Sequence, residues 1–278
     1  MSRLIDLTHL GRDRVIAAYE LDGLIVDPGP SSCLEVLLAG LESEPRGLLL
    51  THVHLDHAGA SGSLVRQFPR LRVYVHEVGA PHLVDPAKLL DSASRLYGDQ
   101  MERLWGEVLP VPAPNVVALG GGERIEGFRV AYTPGHASHH VAYLHESTGD
   151  AYVGDVAGVR IPPRELTVAP TPPPDIDVEA WERSLKTVAE WFPQRLCLTH
   201  FGRVDDVDRQ LERLQERLRA NAERARNDDR ESFLAEVEAE IEAEVDAGVA
   251  ERLLQAAPPE QLWLGLERYW RKRAESAA

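Results

Sequence analysis

The chain has 278 residues, and 45 Asp and Glu against 30 Lys and Arg give it a formal net charge of −15. This acidity argues against a broad nucleic-acid-binding surface, because a negative field repels phosphate backbones. A composition that is 44% hydrophobic and 27% charged excludes wholesale disorder. Two cysteines cannot build a disulfide framework, and no signal peptide or membrane-spanning run is visible, so a cytoplasmic location is predicted.

Short apolar runs alternate with helical stretches as far as about residue 203. Six runs rich in branched apolar residues are predicted to be strands: Leu24–Val26, Leu48–Thr51, Leu71–Val75, Arg129–Tyr132, Ala151–Val153 and Arg195–Thr199. Four helices are predicted between them: Ala58–Gln67, Glu77–Leu83, Ala87–Trp105 and Val178–Trp191, the last with Asp177 as its N-cap. Polar residues repeatedly follow the strand ends, where a sheet fixes the position of an accessible side chain.

Residues 204–278 are predicted to be helical throughout. Glu236–Val245 alternates acidic and apolar residues as a strand would, but its large apolar residues recur every four positions, and Ala and Glu favour helices. The last helix carries three large apolar residues on one face, which we expect to dock it onto the protein: Trp263, Leu266 and Trp270. The chain is therefore divided into an α/β domain, residues 1–203, and a helical C-terminal extension, residues 204–278.

The densest chemical signal directly follows the second predicted strand. Four side chains able to bind metal occupy six consecutive positions: His52, His54, Asp56 and His57. Residues two apart lie on the same side of an extended segment, so His52 and His54 can bind one ion, while Asp56 and His57 reach a second ion as the chain turns. Imidazole and carboxylate suit zinc, iron and manganese. Three further candidates stand at later strand ends: His136, Asp155 and His200.

Taken in order, H-x-H-x-D-H, T-P-G-H, a G-D pair and T-H-F-G resemble the metallo-β-lactamase superfamily of binuclear metallohydrolases over roughly residues 4–203. The resemblance implies a four-layer αββα sandwich with the metals at the sheet edges. It implies two divalent ions, with zinc as the first candidate and iron or manganese as alternatives. By the same resemblance the ligands are His52, His54 and His136 for one ion, Asp56, His57 and His200 for the other, and Asp155 as a bridge.

Two further residues match positions that support such a centre. Asp27, in a D-P-G turn, matches a carboxylate that orients ligand imidazoles, and its alternative is a plain turn residue. His140 matches the second histidine of the T-P-G-H-x-x-x-H pattern in glyoxalase II-like members, where it would contact a ligand or the substrate. Its alternative is a histidine on the next strand.

The implied activity is hydrolysis of a small ester, thioester or lactone by a hydroxide that bridges the two metals. Asp56 would orient the hydroxide or pass its proton to the leaving group. Class B β-lactamases generally have cysteine where this chain has Asp155, and the nucleic-acid-processing branch carries a large inserted domain that this chain lacks. A glyoxalase II-like branch fits the helical ending, although no basic glutathione-binding set is matched.

Other functions remain open at the level of sequence. A phosphodiesterase would use the same centre, whereas an iron oxidoreductase of the persulfide dioxygenase kind would use only His52, His136 and Asp155. A regulatory protein that retains the site is a third possibility. The expected partner is a small-molecule substrate, with neither nucleic acid nor membrane, and a homodimer is left open. We expect Asp85–Pro112 and the C-terminal helices to form an apolar wall that selects an acyl or aryl group, with core packing as the alternative.

Overall fold

The computed structural model describes residues 2–277 and contains two six-stranded β-sheets. The strands of the first sheet lie side by side in chain order: β1 (Arg3–Asp6), β2 (Ala17–Leu21), β3 (Leu24–Val26), β4 (Gly47–Leu49), β5 (Arg72–His76) and β6 (Val116–Leu119). The first three strands pair antiparallel, and β3 to β6 pair parallel.

The second sheet reverses the chain order, so that its last strand lies at one edge and its first at the other. Its strands are β7 (Arg124–Ile125), β8 (Phe128–Tyr132), β9 (Val141–His145), β10 (Asp150–Tyr152), β11 (Arg195–Leu198) and β12 (Gly202–Val204). Only β10 and β11 pair parallel. Each of the six predicted strands falls on an observed strand, with ends displaced by two residues at most.

Seven α-helices accompany the sheets: α1 (Leu34–Gly40), α2 (Leu55–Ala58), α3 (Ser61–Gln67), α4 (Ala80–Val84), α5 (Ala87–Tyr97), α6 (Met101–Trp105) and α7 (Val178–Ala189). The prediction of one helix over Ala87–Trp105 was wrong, because Gly98 adopts φ +53° and ends α5 before α6 begins. The helix predicted over Ala58–Gln67 is observed only from Ser61, as α3, and Ala58 is instead the last residue of α2. The Asp177 carboxylate accepts a hydrogen bond from Ala180 N at 2.8 Å, so the predicted N-cap of α7 is observed.

Alternate residues of the first sheet pack on opposite sides, as the period of a strand requires. Ile25 and Leu48 lie in a hydrophobic cluster with α1 and α3, whereas Val26 and Leu49 lie in a second cluster with Tyr143 of the other sheet. The second cluster continues through the second sheet to α7. Helices therefore cover the two packed sheets in a mixed α/β sandwich, as the motifs implied.

Four helices form the C-terminal segment: α8 (Val207–Asn227), α9 (Arg230–Glu244), α10 (Ala247–Ala256) and α11 (Pro259–Ala277). Their inward side chains join the hydrophobic cluster that lies between the sheets, so the core of the sandwich extends into this segment without a break. Trp263 packs on Phe233 with ring centroids 5.4 Å apart, and Trp270 Nε1 donates to Ala222 O at 2.7 Å. The tryptophans therefore dock the last helix, as their spacing predicts.

Among residues 2–277, each helix is either too short or too polar to cross a membrane.

Candidate metal centre

Strand ends of both sheets bring the seven predicted ligand side chains together. The segment after β4 supplies His52, His54, Asp56 and His57, and the loops after β8, β10 and β11 supply His136, Asp155 and His200. We call these seven side chains the ligand cluster. The single turn of α2 carries Asp56 and His57 back toward the histidines that precede it, because His57 N and Ala58 N both donate to His54 O.

Three imidazole nitrogens of the cluster face one point. His54 Nδ1 lies 2.9 Å from His52 Nε2 and 3.0 Å from His136 Nε2. Each of the three side chains offers one ligand atom, and these atoms lie within 4.8 Å of one another. This is the arrangement of three donors around a single cation.

A second group lies beside the first, with Asp155 between them. His200 Nε2 is 3.3 Å from Asp56 Oδ2, and His57 Nε2 is 3.7 Å from the same oxygen. Asp155 turns Oδ1 toward His57 Nε2, at 3.3 Å, and Oδ2 toward His136 Nε2, at 3.4 Å. The two oxygens of one carboxylate thus face different groups.

The far nitrogens of four histidine rings are held by hydrogen bonds, which fixes the direction in which each ring presents Nε2. His136 Nδ1 donates to Pro170 O at 2.8 Å, and His200 Nδ1 donates to Val15 O at 2.7 Å. His57 Nδ1 pairs with Asp27 Oδ2 at 2.8 Å, and His52 Nδ1 pairs with the Thr51 hydroxyl at 3.0 Å. Such outer partners set the tautomer and the orientation of metal-binding imidazoles.

Asp27 is fully buried and holds two segments of the centre in place. Its carboxylate accepts from Thr51 N, from the Thr51 and Thr199 hydroxyls and from His57, all at 2.7–2.8 Å. Thr51 and Thr199 each precede a cluster histidine, so one carboxylate fixes both of these histidine-bearing segments. Sequence analysis missed the two threonines, although the repeated Thr-His pair before each loop was the signal that could have identified them.

The loop that carries His136 packs unusually close to α7. Gly135 has φ +134°, and a Cβ there would lie 2.3 Å from Trp181 Cα. Pro134 O accepts from the Ser184 hydroxyl at 2.6 Å, and Gly135 O accepts from Asp177 N at 2.9 Å. The glycine of T-P-G-H is therefore required by this contact, which sets the position of His136 relative to the second sheet.

Burial favours the neutral, metal-binding form of His52 and His54. At His57 and His200 burial is outweighed by the carboxylates of Asp155 and Asp56, which raise the pKa of both rings, so these two rings would release a proton when a cation binds. Desolvation lowers the pKa of His52 well below its ordinary value and lowers that of His54 to about 4, so both rings are neutral near pH 7. Burial by itself would raise the pKa of Asp155, but His57, His200 and His136 beside it hold that pKa well below the usual range. Neutral imidazole and ionised carboxylate are the forms that bind a cation.

The chemistry of the donor set fits divalent metal. Three buried cluster atoms have no hydrogen-bond partner among the described residues: His57 Nε2, His200 Nε2 and Asp155 Oδ1. Buried polar atoms are nearly always satisfied, and their partners are protein, water or metal. Asp155 Oδ1 lies 3.3 Å from His57 Nε2 and 3.6 Å from His200 Nε2, so one bound cation would satisfy all three atoms.

The structure places His140 against the cluster but not among its donors. Its ring stacks on His52 with centroids 5.1 Å apart, and its Nδ1 pairs with the Thr133 hydroxyl at 2.8 Å. His140 Nε2 is buried without a partner. The neighbouring His139 lines the substrate-sized cavity described next, and desolvation lowers its pKa to about 3.

A cavity of about 310 Å³ opens from the ligand cluster. Its floor includes His54, Asp56 and Asp155, and its sides come from three separate segments: one face of α5, the loop Pro170–Asp175 and residues 256–262 around the start of α11. We call the α5 face and residues 256–262 the outer wall. The outer wall is mainly apolar, and the Tyr97 hydroxyl joins its two halves by donating to Gln261 Oε1 at 3.4 Å.

The predicted apolar wall is present, but some of the residues that form it differ from those expected. Leu89, Leu96 and Tyr97 line the cavity, as expected. Trp105 is instead buried against the ring of His9, with ring centroids 5.6 Å apart and nearly parallel planes, so it serves core packing. The loop Pro170–Asp175 and the side chain of Gln261 were not anticipated, and no periodicity in the sequence marks them.

Comparison with known proteins agrees with this architecture. The family model for the metallo-beta-lactamase superfamily matches residues 15–200, more than half of the chain. A metallo-beta-lactamase fold-containing protein of Sulfurisphaera tokodaii, ST1585, is 31% identical over 164 residues, which are 56% of this chain and 60% of that protein. Its crystal structure superposes with a TM-score of 0.71 and 24% identity, covering 97% of this chain and 98% of that one.

Two further relatives are informative. A hydroxyacylglutathione hydrolase of Synechococcus is 29% identical over 133 residues, which are 47% of this chain and 42% of that enzyme. The crystal structure of TTHA1623 in a di-iron-bound form superposes with a TM-score of 0.52 and 26% identity, covering 78% of this chain and 92% of that one. In sequence, the chain thus spans less than two thirds of the length of these curated relatives. The family match and the shared sandwich identify the chain as a member of the metallo-beta-lactamase superfamily, whose members are generally metal-dependent hydrolases.

Proposed function

We propose that this protein is a binuclear metal-dependent hydrolase that cleaves a small thioester or ester with an apolar acyl or aryl group. The observation that carries the proposal is the position of Asp155, whose two carboxylate oxygens face two separate groups of donors at the floor of an apolar cavity. Lactones and phosphodiesters would fit the same centre and remain alternatives.

The seven cluster side chains would hold the metals as two sets that share a carboxylate. One set is His52, His54 and His136, the other is Asp56, His57 and His200, and Asp155 would belong to both. Two divalent ions at such a centre supply a nucleophile at neutral pH and polarise the oxygen of the scissile group. Zinc is the first candidate, and iron is supported by the di-iron form of a structural relative.

The protein's own groups would orient the reactants. Asp56 is the more exposed of the two cluster carboxylates, with 23% of its side chain accessible against 5% for Asp155. It therefore reaches the cavity side of the centre, where it would orient the attacking group and transfer a proton to the leaving group. The cavity walls would exclude water from the other faces of the substrate.

The cavity supports the choice of substrate class. A volume of about 310 Å³ is at the lower end of the range for small-molecule sites, which suits a short acyl chain or an aryl group. A relative bears the name hydroxyacylglutathione hydrolase, and that name describes a thioester substrate. A thioester is therefore the first substrate class to test. The proposed substrate is a small molecule, and the proposed location of the protein is the cytoplasm.

A mononuclear iron oxidoreductase would need only His52, His136 and Asp155. The ligand atoms of the second set also lie within 4.8 Å of one another, and two of them, His57 Nε2 and His200 Nε2, have no hydrogen-bond partner among the described residues. This favours two metals and hydrolysis over one iron and oxygen chemistry.

Metal quantification combined with a substrate panel tests the proposal. We expect close to two divalent ions per chain, and turnover of at least one acyl or aryl thioester, ester or lactone that disappears on chelation and returns with metal. One iron per chain with oxygen consumption would overturn the proposal. So would metal-loaded protein that turns over nothing in the panel, which would favour a regulatory role.

A further inference from the structure

Lys88 is the only lysine or arginine among the residues that line the cavity, and it is one of only three lysines in the chain. It lies in the first turn of α5 with its side chain exposed. We infer that Lys88 binds a carboxylate carried by the substrate at the end remote from the scissile bond. The inference rests on the proposed hydrolase function and names the substrate class more closely.

The ammonium group of Lys88 has no competing partner. Among the described residues it has neither a carboxylate within 4.0 Å nor a hydrogen bond, whereas the acids one turn away are already engaged. Asp91 pairs with Arg95 at 2.5 Å, and Asp85 Oδ1 accepts from Ala87 N at 3.2 Å. A cation at the rim of a cavity with no protein partner is available to an anionic ligand.

The rest of the α5 face is suited to hydrocarbon. Six residues of this helix line the cavity with the spacing of a single helical face: Lys88, Leu89, Ser92, Ala93, Leu96 and Tyr97. Lys88 and Tyr97 stand at opposite ends of that face, about 14 Å apart along the helix axis. The cation is therefore separated from Tyr97 by apolar side chains, which fits a substrate with a charged end and an apolar middle.

The acids of the cavity do not offset this cation. Asp56 and Asp155 belong to the ligand cluster, where bound metal would neutralise them. Asp175 accepts from the Ser138 hydroxyl at 2.5 Å and from Ser138 N at 3.4 Å, so it is held at Ser138, and its single negative charge would be outweighed by Lys88 and the metal-loaded cluster. With metal bound, the cavity would be positive at its floor and at Lys88, and a field of this kind attracts anions.

The substrate class that follows is an acyl thioester or ester whose acyl group ends in a carboxylate, such as the monothioester of a dicarboxylic acid. The carboxylate could instead lie on the thiol side, since one cation serves either orientation. Lys88 would bind a carboxylate on the acyl side and one on the thiol side in the same way, and the experiment below distinguishes the two.

Matched substrates test the inference. The glutaryl and pentanoyl thioesters of N-acetylcysteamine differ by a terminal carboxylate, and the pentanoyl thioester of mercaptopropionate places the carboxylate on the thiol. We expect Lys88→Met to lower kcat/KM about fivefold for one of the two charged substrates and to leave the neutral one unchanged. Lys88→Glu should have a larger effect, and Lys88→Arg should retain the preference. Lys186→Met, an exposed site on α7, is the matched control.

The inference is wrong if Lys88→Met lowers all three rates equally or none of them. A second measurement separates it from the hydrolase proposal: ligand-observed NMR of glutarate, mercaptopropionate and the uncharged pentanamide with the metal-free protein. Dicarboxylate or mercaptopropionate binding that is lost in Lys88→Met supports the inference even if no thioester is hydrolysed. Equal binding by the two proteins overturns it even if hydrolysis is observed.

Discussion

The ligand cluster and the outer wall meet at one cavity but are built in different ways. Most cluster side chains are buried, and four imidazoles are fixed by hydrogen bonds from outside the centre. In contrast, none of the α5 residues is buried, and a single 3.4 Å hydrogen bond joins α5 to Gln261 across the cavity.

The difference separates two tasks. Metal-dependent chemistry requires donors held within a fraction of an ångström, which strand ends and a shared buried carboxylate provide. Recognition of an apolar group requires area and exclusion of water, which a helix face supplies with little hydrogen bonding. Changes in the cluster should therefore abolish activity, and changes in the outer wall should alter substrate preference or stability.

The largest effect is expected at Asp155. Asp155→Asn keeps the size of the side chain but removes the charge that faces both groups of donors, so metal content should fall below two per chain and turnover should drop about a thousandfold or more. Mass-spectrometric metal analysis and kcat/KM measure the two changes. Asp175→Asn, on the cavity side, is the control and should retain both metals. Full activity with intact metal content in Asp155→Asn would show that the carboxylate does not bridge.

A smaller loss is expected behind the cluster. Asp27→Asn places an amide where three donors converge on one carboxylate oxygen, so His57 loses its orientation and metal affinity should fall about 10- to 100-fold. Titration of metal against a competing chelator measures the affinity. Thr199→Val removes one donor only and should have a weaker effect. If Asp27→Asn binds both metals as tightly as the parent protein, the geometry of the ligand cluster does not depend on the Asp27 carboxylate.

Next to the outer wall, where α11 packs on the loop Pro170–Asp175, the expected effect is on stability. A Cβ at Gly265 of α11 would lie 1.9 Å from Thr171 O, a backbone atom that no side-chain rotation can move. Gly265→Ala should lower the free energy of unfolding by about 1–3 kcal/mol and displace the wall, with metal content unchanged. Chemical denaturation and metal analysis measure the two quantities. A Cβ at Gly248 of α10 would meet only side-chain atoms, Arg252 Nη1 at 3.3 Å and Asp246 Oδ1 at 3.4 Å, so Gly248→Ala should destabilise much less. Equal losses of unfolding free energy in the two variants would contradict the importance of the close contact between Gly265 and Thr171 O.

The smallest effect concerns pH and the junction between α6 and α10. Burial lowers the pKa of His9, whose Nε2 pairs with Leu104 O at 2.9 Å and whose Nδ1 faces the Gln255 amide nitrogen at 3.1 Å. Only the neutral ring can accept at Nδ1 while donating at Nε2. As the pH falls, the histidine of the unfolded chain takes up a proton before His9 of the folded protein does. The stability that neutral His9 contributes is therefore complete above about pH 6.5 and is lost as the pH falls.

Denaturation of metal-loaded protein at several pH values measures this contribution. Stability should fall less steeply between pH 7 and 5 in His9→Gln than in the parent protein. Identical pH profiles would show that the junction does not depend on a neutral His9.

The two regions also differ in how far sequence predicts them. The cluster residues follow strands, and their order along the chain is specific, so all seven could be named before any geometry was known. The strands themselves were located because strands buried on both faces leave short continuous runs of branched apolar residues in the sequence. Asp27 could be suggested only through resemblance, because its partners Thr51 and Thr199 lie 24 and 172 residues away.

The outer wall could be predicted only in outline. An apolar wall was predicted from the large apolar residues of Asp85–Pro112, but the division of the helix at Gly98 depends on one backbone angle. Gln261 meets Tyr97 across 164 residues, a contact set by how α11 packs on the sandwich. Short edge strands such as β7, with two residues, carry too few side chains to show a period.

The position of the outer wall in the chain affects the order in which the protein is assembled. The ligand cluster ends at His200, whereas the last residue lining the cavity is Leu262. A ribosome makes the chain from its N-terminus, and domains begin to fold during synthesis. The ligand cluster and α5 therefore emerge before α11, so the half of the outer wall around the start of α11 is the last part of the cavity to be completed.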